Sequence, residues 1–353
     1  MSKLFIVSTR IGSGKGGIST ALIGYVNSIE MKKCQIKLVT SHETGIRLLP
    51  FFESCRVLYT ECKKGDATWF HCGPWLSMLR KAILSVLAKS RGSRIYLHLH
   101  SPTLYNYLQS PFKRFFLKWL FTMADGLIVL TPWWREQVIQ AFPLMEHKIL
   151  VVPNPLDDGL KAMSFEPIKK NDTTNCKVRV LSMARLVKGK GFETVIDTFL
   201  HLPEHYTLTI AGDGPLMSHL TAQVHANGLQ SRIKFVGWVD YDNKKALLRS
   251  HDVFCLPSKY DSFGMGFIEA MAAGLPVVAL NFQAIPDVVP DGVAGKLVVD
   301  DHPETLCEAI KYCAEHQFIL GKAGKEHVKG DFDAEYVSKK IIDFCNAGDK
   351  NEG

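Results

Sequence analysis

Short apolar runs of β character alternate with helical stretches along almost the whole chain, and this alternation restricts the fold more than any other property of the sequence. In the first half Leu4–Ser8, Ile36–Thr40, Val57–Tyr59, Ile95–His100, Gly126–Leu130 and Ile149–Val152 read as strands. Helices are expected over Ile18–Met31, Pro74–Lys89, Phe112–Met123 and Pro132–Ala141. Such alternation predicts mainly parallel sheets with helices on both faces, because each parallel crossover needs a helix-length connection. A second series opens at Val178–Met183 and continues through Tyr206–Ala211, Ile233–Val236, Val253–Leu256, Val277–Leu280 and Gly295–Val299. Between the two series, residues 163–176 are polar, lose periodicity and read as a linker. At 353 residues the chain fits two domains of ordinary size. The expected architecture is α/β, with two doubly wound, Rossmann-like domains facing across a cleft. They are placed at 1–165 and 177–330, and 331–353 supplies a closing helix (Ala334–Phe344) that packs back toward the first domain.

Composition narrows the class. A hydrophobic content of 46% with 22% charged residues is that of a globular protein. No apolar run reaches the roughly 18 residues of a membrane span. The N-terminal run is too short for a signal peptide and lacks a small-residue cleavage site, so a cytoplasmic protein is expected. Nine scattered cysteines form no C-x-x-C pair and none is close in sequence to His98 or His100, so neither a disulfide framework nor a metal site is expected. Residues 1–165 carry 21 Lys/Arg against 10 Asp/Glu (+11), and 166–353 carry 21 against 25 (−4), which together give the net +7. The halves therefore face different partners. A nucleic-acid reading rests on net charge alone, since no binding motif is present.

The run DVFCLPSKYDSFGMGFIEAMAAGLPVVAL (Asp252–Leu280) reads as strand, flexible loop, short helix to Ala273, a Gly274–Pro276 stop and a second apolar strand. Ser262, Gly264 and Gly266 surround the start of that helix. Its free N–H groups and dipole can receive a phosphate. Asp261 and Glu269, eight residues apart, add carboxylates for hydroxyl groups. The combination suits a sugar nucleotide.

Four other segments carry candidate chemistry. STRIGSGKGGIST (Ser8–Thr20) fails as a Walker loop because Lys15 is followed by Gly, and fails as a dinucleotide fingerprint because no acidic residue ends the second strand. It remains a loop of N–H groups able to hold an anionic or hydroxyl-rich ligand. IYLHLHSP ends a strand with His98 and His100 on one face; His98 reads as structural and His100 as facing the cleft. VLSMARLVKGKGF places Arg185 and Lys190 five apart among glycines. LTIAGDGPL and IKFVGWV follow, with Gly212, Asp213, Gly214 and Gly237 at strand ends.

These segments resemble the retaining glycosyltransferases of family 4, which have a GT-B fold. The resemblance spans nearly the whole chain and is tightest over 178–280. The tail Ala270–Met271–Ala272–Ala273–Gly274 with Pro276–Val277–Val278 is complete, whereas Asp261 stands where the family has Glu and Ala184 where it has Gly. The resemblance implies a nucleotide-diphosphate sugar donor, UDP- or GDP-linked, and no metal or other cofactor. It implies that Arg185 and Lys190 stabilise the departing diphosphate, Glu269 holds the ribose, and Asp261 and His100 orient the transferred sugar. It further implies that Ser262, Phe263, Gly264, Met265 and Gly266 receive the phosphate end, that Gly237 meets the base, and that Gly16 and Gly17 approach donor phosphate and acceptor. Transfer with retention would have the diphosphate oxygen take the acceptor proton. The basic first half suits a saccharide or lipid-linked saccharide acceptor in polysaccharide, O-antigen or lipopolysaccharide assembly. Rival readings are a GT-B sugar-nucleotide epimerase, which would need no acceptor, and an inactive sugar-nucleotide-binding scaffold.

Two basic amphipathic stretches, Pro74–Arg94 and Ser110–Phe121, complete the survey. The second sets Lys113, Arg114 and Lys118 among Phe112, Phe115, Phe116, Trp119 and Phe121. Such helices either lie peripherally on the inner face of the cytoplasmic membrane or cover the sheet while their cations reach out to water.

Overall fold

The computed structural model describes residues 1–10, 17–42, 49–168 and 177–347. The chain divides into two compact units, Met1–Asp157 with Phe332–Gly353, and Asp158–Asp331. In the first unit the order is β1 (Leu4–Thr9), α1 (Gly17–Asn27), α2 (Ile29–Lys32), β2 (Ile36–His42), α3 (Leu49–Glu61), β3 (Ala67–Cys72), α4 (Trp75–Ser90), β4 (Arg94–Leu99), α5 (Leu104–Gln109), α6 (Pro111–Met123), β5 (Gly126–Val129), α7 (Pro132–Ala141) and β6 (Ile149–Val151). The second unit continues with α8 (Asp158–Lys161), β7 (Val178–Met183), α9 (Phe192–Thr198), β8 (Tyr206–Ala211), α10 (Met217–Ala226), β9 (Ile233–Gly237), α11 (Tyr241–Arg249) and β10 (Val253–Cys255). Then come α12 (Met265–Ala273), β11 (Val277–Leu280), β12 (Gly295–Val298), α13 (Pro303–Glu315) and α14 (Gln317–Asp331), before α15 (Ala334–Ala347) returns to the first unit.

Each unit holds a six-stranded parallel sheet, ordered β2-β1-β3-β4-β5-β6 and β12-β11-β10-β7-β8-β9. Strands β3, β4 and β5 are buried along their whole length, as a sheet covered on both faces requires, while the edge strand β9 alternates exposed positions with buried or half-buried ones. The strand order reverses between β1 and β3 in the first sheet and between β7 and β10 in the second. In open parallel sheets the loops after the strands on either side of such a reversal form a ligand crevice.

Three sequence expectations need correction. Val57–Tyr59 is not a strand but part of α3, which buries Ser54, Val57 and Leu58 at helical spacing. The strand that occupies this place in the sheet is β3, ATWFHC, which the reading missed; its apolar and aromatic residues lie between Gly65–Asp66 and Gly73–Pro74. The helix expected over Ile18–Met31 breaks at Ser28, whose hydroxyl caps the Met31 N–H at 3.2 Å and pairs with Ser338 at 2.9 Å.

The unit boundaries also move. Residues 158–165, assigned by sequence to the first domain, belong to the second unit. The buried Lys325 of α14 holds them there, its Nζ donating to the Met163 and Glu166 carbonyls at 2.8 and 2.7 Å. Helix α15 is tied to the first sheet through the Cys345 carbonyl, which accepts from Arg94 Nη1 (2.7 Å) and Tyr96 Oη (3.0 Å). Glu335 accepts from the N–H groups of Ile29 and Glu30 at 2.7 and 3.0 Å. Every described cysteine is a free thiol.

Candidate active site

In the second unit the expected residues gather after β7, β9 and β10, two of which flank the reversal of strand order. The loop after β7 carries Arg185 and Lys190. It returns against the end of β10 at Gly191, which has φ +80° and where a Cβ would lie 2.6 Å from the Pro257 carbonyl oxygen. No side chain larger than hydrogen fits, and the close approach delivers Lys190 to the loop that follows β10. There Lys190 Nζ donates to Asp261 Oδ1 at 2.7 Å, both side chains being largely buried. Asp261 Oδ2 is buried and has no hydrogen-bond partner among the described residues. Arg185 is exposed, and its guanidinium makes no hydrogen bond or ion pair among the described residues. The two cations that sequence treated alike therefore differ: one is held by a carboxylate and one is free.

Helix α12 starts just beyond. Gly264 precedes it at φ +87°, left-handed backbone that a side chain would strain, and no side chain caps the helix. The Phe267 N–H turns back to the Gly264 carbonyl at 3.0 Å. Among the described residues the N–H groups of Met265 and Gly266 make no hydrogen bond, which leaves two donors at the positive end of the helix. Phe263, two residues ahead of the helix in the chain, is buried. At the other end Gly274 closes α12 at φ +82°, with its N–H on Met271 and the Leu275 N–H on Ala270, the stop that the sequence signalled.

Glu269 is 3% exposed on α12, and its Oε1 accepts from Lys244 Nζ at 2.8 Å. Lys244, on α11, escaped the sequence reading because one lysine in an exposed, polar helix (YDNKKALLR) carries no signal of its own. Asp240 caps that helix through the Asn243 N–H at 2.9 Å. Gly237 ends β9 at φ +71° with open space around it.

Gly17 and His100 lie in the first unit: Gly17 opens α1, and His100 directly follows β4. Gly16 lies outside the described residues. The His100 N–H bonds the Cys72 carbonyl at 2.8 Å, seating the residue where β3 and β4 end. His71, His98 and His100 are all buried, and one ring nitrogen from each lies within 4.8 Å of the others. The expectation of no metal-ligating cluster looked only for cysteine near His98 and His100 and missed His71, which the register of β3 and β4 sets directly opposite His98. Among the described residues no carboxylate joins the group. Lys81, on α4 and 0% exposed, donates to Ser41 Oγ at 2.6 Å. Burial draws its pKa down to about 8.

Burial, with the Lys81 charge second, lowers the His100 pKa to about 3. Burial likewise holds His71 and His98 well below the ordinary 6.5. In the unfolded chain these rings take protons near 6.5, and in the folded protein they do not. The unfolded state therefore binds more protons as pH falls below 6.5, and folding stability falls with it, by up to about 1.4 kcal/mol per pH unit per group. Melting temperature is expected to decline between pH 7 and 5, and less steeply in His98→Phe. An identical slope in that variant would remove His98 from the account.

Comparison with known proteins bears on the family and the fold. Residues 164–327 match the family model for glycosyl transferases group 1, and residues 36–160 match that for glycosyltransferase family 4. The fold is that of Anabaena Alr3699/HepE, solved with UDP and glucose, at a TM-score of 0.74 and 18% identity over 98% of this chain and 100% of that one. The chain is thus of the GT-B class, and with both models matched in succession it belongs to glycosyltransferase family 4. Among curated relatives it is 28% identical over 225 residues to the lipopolysaccharide core biosynthesis glycosyltransferase LpsE of Rhizobium meliloti, covering 63% of this chain and 64% of that protein. It is 30% identical over 186 residues to the amylovoran biosynthesis glycosyltransferase AmsK of Erwinia amylovora, covering 49% and 46%. The chain spans about half the length of several curated relatives it matches, between 42% and 52% for three of them.

Proposed function

We propose that this chain is a retaining, metal-independent glycosyltransferase that moves a sugar from a UDP- or GDP-sugar to a hydroxyl of a saccharide or lipid-linked saccharide in cell-surface polysaccharide assembly. The observation that carries the reading is the buried, unpartnered Asp261 Oδ2, set beside Lys190 and just ahead of the two free N–H groups of α12. A buried acceptor without a donor is costly, and a sugar hydroxyl would satisfy it. The same place offers a diphosphate two backbone donors and two cations.

In the proposed reaction the bond from the anomeric carbon to the diphosphate oxygen breaks, and a bond to the acceptor oxygen forms on the same face. The acceptor proton passes to the departing diphosphate. Arg185 meets the negative charge as it develops. Lys190, held ready by Asp261, turns toward the diphosphate when donor binds. The two cations supply the stabilisation a divalent ion would otherwise give. Glu269, anchored by Lys244, holds the ribose hydroxyls, Gly237 leaves room for the base, and His100 orients the sugar.

A thermal-shift panel of UDP- and GDP-sugars, with and without EDTA, tests this. One donor should raise the melting temperature in EDTA, by an amount set by its concentration over Kd. A shift that appears only with divalent metal would refute metal independence, and silence across the panel would refute donor binding.

The acceptor side rests on α6. This helix turns Leu117, Leu120 and Phe121 inward, while Phe112 (78% exposed), Phe115 (76%) and Trp119 (46%) form an outward stripe. Lys113, Arg114 and Lys118 flank the stripe, Lys113 lying over the Trp75 and Tyr107 rings. A cavity of about 450 Å³ opens between Phe115, Lys118, Trp119, Thr122 and Met123. Among the described residues no helix is long and apolar enough to cross a membrane. An aromatic stripe with flanking cations fits shallow contact with an anionic lipid surface. Replacing Lys113, Arg114 and Lys118 together should weaken binding to anionic vesicles by more than a hundredfold, at about 1 kcal/mol per cation. Unchanged binding would end this reading.

A further inference from the structure

We propose that Lys244 is a positioning residue for Glu269: by engaging Oε1 it sets the carboxylate in one orientation and leaves Oε2 as the oxygen offered to the ribose hydroxyls of the donor. The proposal rests on the ribose role of Glu269 given above.

Both residues belong to the second unit, Lys244 on α11 and Glu269 on α12. Lys244 lies four residues before Leu248, the buried residue of α11, so it stands on the face of the helix that turns inward. Its side chain is 15% exposed and that of Glu269 4%. A pair so far from water adds little stability, because lost hydration offsets most of the attraction, and two apolar side chains would fill the contact as well. What the pair supplies instead is direction. Lys244 Nζ donates to Oε1 at 2.8 Å, while Oε2 makes no hydrogen bond among the described residues. One carboxylate oxygen can accept from two donors, enough for the neighbouring 2′- and 3′-hydroxyls of a ribose. The direction also suits a nucleoside diphosphate. Side chains of an α-helix lean toward its N-terminus, over the residues three and four places earlier. For Glu269 these are Gly266 and Met265, whose N–H groups make no hydrogen bond among the described residues. The ribose is joined to its diphosphate through the 5′ carbon, so an acceptor for its hydroxyls belongs about one helical turn from the phosphate donors, as Glu269 is. Without the ammonium, this carboxylate would be buried, uncompensated and able to turn.

Calorimetry of nucleotide binding to the full chain provides the test, with UDP and GDP each compared with its 2′,3′-dideoxy form. The native protein should prefer the ribose form of whichever nucleotide it binds by about 10- to 100-fold, the worth of hydrogen bonds to a charged acceptor. Glu269→Leu should abolish that preference, and Lys244→Met should reduce it about tenfold. A part played only in stability would weaken both forms alike and leave the preference unchanged. Lys244→Gln, which falls one bond short of Oε1, should lose the preference likewise and is the variant to read where Lys244→Met does not fold. The double variant Lys244→Met with Glu269→Leu should regain melting temperature lost in either single variant and still show no preference. A native or greater preference in Lys244→Met or Lys244→Gln, alongside its loss in Glu269→Leu, would overturn the proposal and leave the ribose role standing. No preference in the native protein, or a native one in Glu269→Leu, would overturn the ribose role itself and the proposal with it. Failure of the native protein to bind either nucleotide would overturn the donor reading on which both rest.

Discussion

Lys190→Ala is expected to lower turnover by about 10²–10³-fold, the usual loss when one preorganised donor is taken from a developing negative charge. It should also destabilise the protein. Lys190 and Asp261 are 11% and 16% exposed in their side chains, and among the described residues Asp261 has no other side-chain partner, so deleting the lysine strands a carboxylate largely away from water. Breaking a buried pair from one side costs about 3–5 kcal/mol, and partial exposure places this case toward the lower figure. The two effects separate in the double variant Lys190→Met with Asp261→Leu. Removing both charges should restore much of the melting temperature and none of the turnover. Near-normal turnover in Lys190→Ala would sink the proposed role of this cation.

Arg185→Ala should lose turnover on a similar scale, about 10²–10³-fold, but with a different signature. Its guanidinium is exposed and touches no partner among the described residues, so its removal should change stability by less than about 0.5 kcal/mol. Calorimetry should show weaker UDP or GDP binding in this variant at an unaltered melting temperature. Arg185→Lys should recover only part of the loss, since an ammonium cannot engage two phosphate oxygens at once in the planar manner of a guanidinium. Unaltered turnover in Arg185→Ala would leave Lys190 and the N–H groups of α12 to bind the diphosphate alone.

The readable part of this chain was whatever local chemistry dictates. Strand β11, the Gly274 stop and helix α12 were legible because apolar runs, glycines and a proline determine them within a few residues. The three residues Val57–Tyr59 misled because so short an apolar run fits a strand or one face of a helix equally well, and only the longer pattern from Ser54 decides. The pairings were beyond reach. Nothing within ten residues of Glu269 announces Lys244, and nothing near Lys190 announces that Asp261 neutralises it, for the first contact joins two helices and the second two loops that follow different strands. His71 was hidden for a related reason. A histidine in a short strand says little until the parallel register with β4 sets it beside His98 and within reach of His100.

The first unit is made of two separated lengths of chain, Met1–Asp157 and Phe332–Gly353, with the whole second unit threaded between them. During synthesis a ribosome releases Asp158–Asp331 before it releases the helix that ties down Arg94 and Tyr96. The nascent first sheet must therefore wait, its docking surface for α15 uncovered, while the later-made unit is already able to fold. Domains generally fold as units as they emerge, and here the first unit lacks part of itself until Phe332–Gly353 has been made.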